Sequence, residues 1–135
     1  MKKHFSPSWI SSTQVRKQRK YRHNAPLHIK HRFLSAHLSK VLRQKHGKRS
    51  LPIRQGDEVL VMRGSFAGKK AKVSSVNLSK TQVILEGLQR TKRDGTKIPV
   101  YFHPRVLQIN TIALEDKERS AAINRKQSIS PKGAK

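Results

Sequence analysis

The apolar positions of this chain fall into two regimes. From residue 53 to residue 112 they recur closely, with the two-residue period of half-buried strands; elsewhere they are scattered among cations. The clearest segment is 53–77. Gly56 and Asp57 turn the chain into a strand over 58–62, where Val59 and Val61 share one face. Gly64 and Gly68 bracket a short loop, where glycine adopts backbone angles that other residues resist. The apolar pattern resumes at Val73 and Val76, and that three-residue spacing requires a β-bulge or a change of face. The segment reads as a hairpin whose return strand opens on three lysines, Lys69, Lys70 and Lys72.

Further on, 78–81 is a turn and 82–87 a third strand, with Val83 and Leu85 inward. Asp94 and Gly95 form a strong hairpin-turn signal. Residues 98–102 make a strand interrupted by Pro99, which has no N–H for a ladder. His103, Pro104 and Arg105 then lead to a last strand over 106–109 and to Ile112. Five short strands in this span predict a mainly β fold with some helix, built on a small barrel.

Upstream, Asn24 as cap and Pro26 in the first turn predict a short helix carrying Leu27 and Leu34. A second helix is predicted over 35–46, with Ser39 as a candidate cap. Leu38, Val41 and Leu42 form its apolar face, and Gly47 stops it. Residues 48–52 are a basic linker into the barrel. Downstream, a polar helix is predicted from Leu114, with Glu115, Asp116 and Glu118 where the helix dipole favours acids; residues 126–135 fray or follow a partner's surface. Residues 1–23 hold Phe5, Trp9, Ile10, Val15 and Tyr21, too scattered to build a core, and are expected to order only when laid along a polyanionic partner. The chain therefore divides into a basic arm (1–23), a short helical segment (24–50), the barrel (51–112) and a C-terminal helix and tail (113–135).

Charge sharpens the picture. The 135 residues carry 31 Lys and Arg against seven Asp and Glu, a formal net charge of +24. By count, residues 1–50 hold 14 of these cations and no acid; the first carboxylate is Asp57. Such an excess points to a polyanionic partner. No apolar run approaches the roughly 20 residues that span a bilayer, so a membrane is not expected as partner, and the charge-broken N-terminal stretch does not resemble a secretory leader. The absence of cysteine excludes disulfides, thiol nucleophiles and the usual structural zinc sites.

Catalytic patterns are missing too. Asp57 and Glu58 adjoin in a strand and so point to opposite faces, a poor acid–base pair. Six of the seven histidines (His4, His23, His28, His31, His37 and His46) lie in the cationic first 50 residues, with no acid or thiol to complete a metal site. No nucleophile elbow or Walker-type loop is present. Neither an enzyme nor a cofactor, metal or small-molecule substrate is expected. The expected mechanism is phosphate neutralisation by Lys and Arg. The candidate contacts are the arm (Arg16, Lys17, Arg19, Lys20, Arg22, His23), the second helix (Lys40, Arg43) and the linker (Arg49, Arg54). The hairpin (Arg63, Lys69, Lys70, Lys72) and the distal loop (Arg90, Lys92, Arg93) complete the set. Tyr21 is a candidate for stacking on an unpaired base.

The hairpin resembles a KOW motif, an element of small SH3-like barrels in ribosomal proteins and transcription elongation factors. A more specific resemblance lies in an ordered set of segments. These are Asn24-Ala25-Pro26-Leu27-His28, Leu38-Ser39-Lys40-Val41-Leu42-Arg43-Gln44-Lys45-His46-Gly47, Arg49-Ser50-Leu51-Pro52-Ile53-Arg54 and Gly56-Asp57. Together they resemble the archaeal and eukaryotic branch of one large-subunit ribosomal protein family, numbered twenty-four in bacterial and archaeal usage and twenty-six in eukaryotic usage. The likeness runs from about residue 16 to about residue 119. It implies a structural role on the 5′ part of large-subunit ribosomal RNA during assembly. It also implies a place near the polypeptide exit region of cytoplasmic ribosomes, beside other ribosomal proteins. The chain departs from the family pattern at Ala67, where lysine is common, and at Ala71, where glycine is usual. The competing readings are a DNA-compacting chromatin protein, a KOW-bearing transcription or ribosome accessory factor and, remotely, a metal-dependent nuclease.

Overall fold

The computed structural model describes residues 5–125. After a single 3-10 turn at Pro7–Trp9 come helices α1 (Val15–Asn24) and α2 (Leu27–Phe33), strand β1 (Ser35–Leu38), helix α3 (Lys40–His46) and strand β2 (Ser50–Pro52). Strands β3 (Glu58–Val61), β4 (Lys70–Asn77), β5 (Gln82–Thr91) and β6 (Lys97–Phe102) follow, then a 3-10 turn at Pro104–Val106, strand β7 (Leu107–Thr111) and helix α4 (Lys117–Asn124). The seven strands form one sheet in the order β2-β1-β7-β3-β4-β5-β6. β1 and β7 run parallel and the other neighbours antiparallel. No described helix is long and apolar enough to cross a membrane.

The expected alternation builds the core. Val59 and Val61 are fully buried, as are Val73, Val83, Leu85, Leu107 and Ile109 from the neighbouring strands. β4 pairs with β3 through Lys70, Ala71 and Lys72 and with β5 from Val73 onward, with a register shift between Val73 and Ser75. That is the irregularity required by the Val73–Val76 spacing. Ala71 lies opposite Val59 and packs against the core in ordinary strand backbone. Gly64 and Gly68 take φ of 97° and 82° in the hairpin loop, where the Val61 carbonyl accepts from Gly68 N–H at 2.8 Å.

Several expectations are corrected. The helix predicted over 35–46 is a strand followed by a helix. Ala36 and Leu38, two residues apart, are both buried, and β1 finds partners on both sides, in β2 and β7. The helical reading grouped Leu38 with Val41 and Leu42 at i, i+3 and i+4; tertiary pairing overrides that spacing and leaves Val41 73% exposed. Ser39 does cap α3, its hydroxyl accepting from Leu42 N–H at 3.4 Å, and Gly47 closes it at φ 60°. Asn24 ends α1 instead of capping α2, whose N-cap position is held by Pro26. The third strand does not stop at Gly87 but runs to Thr91, with Gly87 at φ 72° inside an irregular β5–β6 pairing. With β1 and β2, the strands number seven instead of five.

Another correction concerns the arm. Residues 15–24 form α1 without any partner, and Tyr21 is only 6% exposed. Its ring centroid lies 5.1 Å from that of Phe5 and 6.1 Å from that of Phe33, so one aromatic row ties the arm to α2. The Gln18 amide donates to the carbonyls of Trp9 (2.9 Å), Ile10 (3.2 Å) and Ser12 (2.7 Å), folding the preceding turn against α1. Tyr21 is thus a packing residue and not an exposed stacking platform. The expectation for residues 126–135 lies outside the described residues.

The C-terminal segment is held by charge. α4 starts at Lys117, with Asp116 as its cap, not at Leu114. It sends Ile123 into the core and Arg119 to Asp57, which is fully buried. The Arg119 guanidinium forks onto the carboxylate, Nη1 to Oδ1 at 2.6 Å and Nη2 to Oδ2 at 2.7 Å. The same carboxylate accepts from Arg54 N–H (2.9 Å) and Ala113 N–H (3.0 Å). The guanidinium also donates to the carbonyls of Ala113 (3.0 Å) and Pro52 (3.2 Å). Breaking a buried pair strands the remaining charge, at a cost of about 3–5 kcal/mol. Arg119→Met is therefore expected to lower the free energy of unfolding by about that much, read as a lower urea midpoint at an unchanged slope. A midpoint equal to the parent's would mean that the pair contributes no net stability.

Candidate nucleic-acid interface

Four of the seven carboxylates are engaged within the fold, and this sets the character of the surface. Asp57 holds Arg119, and Asp116 caps α4 and contacts the Arg54 guanidinium. Glu58 accepts from the Thr111 hydroxyl at 2.9 Å. Asp94 accepts from the Thr96 hydroxyl (2.7 Å) and N–H (3.0 Å), and these bonds lower its pKa. The cations that remain find little opposite charge.

The structure sorts the candidate contacts by availability. On α1, Arg16, Lys17, Arg19, Lys20, Arg22 and His23 are all exposed, projecting around the helix while Tyr21 faces inward. Lys20 sits over the Trp9 ring at 5.3 Å, so part of its charge is already used. On α3, Lys40 is exposed, but Arg43 is half-buried and donates from Nε to the Leu38 carbonyl at 2.8 Å. Arg49 is exposed, whereas Arg54 is committed to Asp116. These bonds orient Arg43 and Arg54 toward the protein more than toward a partner.

In the β3–β4 hairpin, Arg63 and Lys69 occupy the loop and Lys70 and Lys72 the first turn-proximal part of β4, all exposed. Lys69 lies over Phe66 at 5.3 Å, and Phe66 meets Phe102 edge-on at 5.9 Å, which anchors the loop to the core. Lys72 stands directly opposite Glu58. Ala67 is exposed in the loop, so a lysine missing there removes a surface charge and no packing. Arg90, Lys92 and Arg93 belong to the distal end of the β5–β6 hairpin, where every residue from 89 to 99 is exposed. The candidates therefore group into the α1 surface, the β3–β4 loop and the β5–β6 tip, carried on a common sheet except for α1.

A fourth group was not among the candidates. A cavity of about 800 Å³ opens between α1, α2, the β4–β5 turn and the Pro104–Val106 turn. Arg22 and His23 reach it, together with Lys30, Arg32, His103 and Arg105. These last four come from stretches of sequence that read separately as a helix face and a connector. Only the packing of α1 on α2 brings them together, and the sole hint in the sequence was the dense basic and histidine content of 28–32.

Three histidines are shifted by this surface. His103 is held below its ordinary pKa of 6.5 by partial burial, then by Arg105 and Arg22. His31 is lowered by burial, then Arg54 and Arg119, and His46 by burial, then Lys45 and Lys48. A histidine whose pKa is lower folded than unfolded takes up its proton more readily on unfolding. Its favourable effect is present above the unfolded value and is lost as pH falls through about 6.5 toward the folded value. The urea midpoint is expected to drop between pH 7.5 and pH 5.5, and His46→Gln to flatten that drop; a midpoint constant over this window contradicts it.

Comparison with known proteins bears on this surface. The family described as ribosomal proteins L26 of eukaryotes and L24 of archaea matches residues 12–126. Large ribosomal subunit protein uL24 of Methanosphaera stadtmanae is 43% identical over 115 residues, covering 85% of this chain and 98% of the relative. The uL24 protein of Korarchaeum cryptofilum is 41% identical over 117 residues (87% and 89%), and that of Methanosarcina barkeri 40% over 114 residues (84% and 98%).

Proposed function

Because the chain belongs to this family of large-subunit ribosomal proteins, L26 in eukaryotes and L24 in archaea, whose members are structural components and not enzymes, we propose that it binds large-subunit ribosomal RNA by phosphate neutralisation. In this reading it clamps RNA helices of the 5′ region during subunit assembly and stays near the polypeptide exit region, in contact with other ribosomal proteins of the cytoplasmic ribosome. The observation that carries the reading is the disposition of charge. Asp57 is buried and Glu58 and Asp116 are engaged within the fold, while the far more numerous cations of α1, the β3–β4 loop and the β5–β6 tip face outward.

The seven-stranded sheet, with its register shift in β4, supports the reading of a small SH3-like barrel with its KOW hairpin at 53–77. It gives the loop cations a rigid base, so little ordering entropy opposes docking. α1, held by its aromatic row, adds a second basic surface. A-form RNA hides its base edges in a deep, narrow groove, so shape and backbone contacts dominate such binding.

Two measurements test the proposal. Native protein is expected to sediment with large ribosomal subunits in near-stoichiometric amount and to withstand a high-salt wash. Release at moderate salt favours an accessory factor, and recovery with chromatin favours DNA compaction. Replacing Arg16, Lys17, Arg19 and Lys20 together by Ala is expected to reduce the slope of log affinity against log salt by about three, at roughly 0.7–0.9 per phosphate contact. An unchanged slope would mean that α1 does not touch RNA.

A further inference from the structure

The cavity beneath α1 combines features that a surface for backbone contact does not need. Its volume, about 800 Å³, falls in the roughly 300–1,000 Å³ range of sites for small molecules and cofactors. Four permanent cations, Arg22, Lys30, Arg32 and Arg105, reach its wall, and no Asp or Glu lines it. None of the four forms an ion pair among the described residues. Like charges gathered around one concavity repel one another, and an anion placed among them relieves that repulsion. His103 lies on the same wall, its pKa lowered first by burial and then by Arg105 and Arg22.

The same cavity has an aromatic wall. Tyr21 and Phe33 both line it, and their edge-on packing fixes the orientation of the rings. The opposite rim is fixed as well. Lys30 Nζ donates to the Ser79 carbonyl at 3.3 Å, bridging α2 to the β4–β5 turn. In that turn Thr81 holds φ 53°, the one positive value among the described residues other than glycine. A β-branched residue in this conformation is strained, and such strain persists where the surroundings enforce it.

Cations set beside aromatic rings match a nucleotide, whose phosphate takes charge-assisted hydrogen bonds and whose base takes an apolar face. A base within a duplex is stacked and paired and cannot enter a concavity; an unpaired one can. We propose that this cavity accepts a single unpaired nucleotide of an RNA strand, with its base against the half-buried Phe33 ring, which Tyr21 holds from behind, and its phosphate among Arg22, Arg32 and Arg105. The assignment rests on the RNA-binding reading above and adds a site to it. The protein then grips paired helices with its outer cations and one splayed-out nucleotide with the cavity.

The test compares hexauridylate with a blunt RNA duplex of about one helical turn, using the full chain and fluorescence anisotropy at one salt concentration. The variant Arg22→Ala/Arg105→Ala removes two exposed cations of the cavity; Arg90→Ala/Lys92→Ala removes the same charge from the β5–β6 tip. The cavity variant is expected to weaken hexauridylate by about tenfold or more beyond the tip variant, the scale of one lost charged hydrogen bond, while both weaken duplex binding alike. Ring resonances of Tyr21 and Phe33 are expected to shift with hexauridylate and not with inorganic phosphate. Equal losses for both variants on both RNAs overturn the cavity assignment and leave the RNA-binding reading standing. Uridine monophosphate binding as tightly as hexauridylate overturns the assignment in favour of a free-nucleotide site. Failure of the parent protein to bind either RNA at low salt removes both readings.

Discussion

The buried fork between Asp57 and Arg119 is the constraint on which the arrangement of this chain depends. A carboxylate with no solvent exposure is tolerable only when its charge and its lone pairs are answered, and four N–H groups do so here. Those donors come from the loop before β3, the segment after β7 and α4, so one side chain fixes three stretches of chain relative to one another. α4 contributes only Ile123 to the core cluster. Burial of one such side chain is worth about 1.5–3 kcal/mol, little against the ordering of eight residues. The ion pair, with its hydrogen bonds to Pro52 and Ala113, makes the position of that helix specific.

The fork also shapes the outside of the protein. With seven acids in the chain, each one turned inward leaves another cation unanswered at the surface. Asp57 and Asp116 are spent on the C-terminal segment, Glu58 on a cross-strand bond and Asp94 on a turn. Folding thus separates the charges, neutralising a few inside and near the sheet while exposing a cationic field. Such a field opposes compactness in free solution and favours it on a polyanion, because a partner that binds only the folded state stabilises that state. The cavity under α1 is a local extreme of the same separation.

Much of the sheet was legible in the sequence. Val59, Val61, Val83 and Leu85 face inward as their alternation requires, the Val73–Val76 spacing marks a real bulge, and Gly47 and Ser39 delimit α3. These features are local: each depends on side-chain periodicity or on one residue's backbone preference. The misreadings share a different cause. β1 takes its identity from β2, beyond helix α3, and from β7, near the far end of the chain. α1 is ordered by rings at Phe5 and Phe33, on either side of a segment whose own composition looks like a solvated tail.

Read alone, the amino-acid order specifies the sign and size of the charge, the hairpin-rich sheet and its inward face, and a family resemblance carried by ordered segments between residues 24 and 57. These follow from composition and from periods of a few residues, which need no knowledge of distant neighbours. Which cations remain available is settled by the folded arrangement, since bonds within the protein engage Arg43 and Arg54 and bury Arg119. Folding also gathers Arg22, Arg32, His103 and Arg105 around one cavity. Both outcomes depend on where long, flexible side chains from separate segments meet, and that is fixed by packing, not by any local pattern.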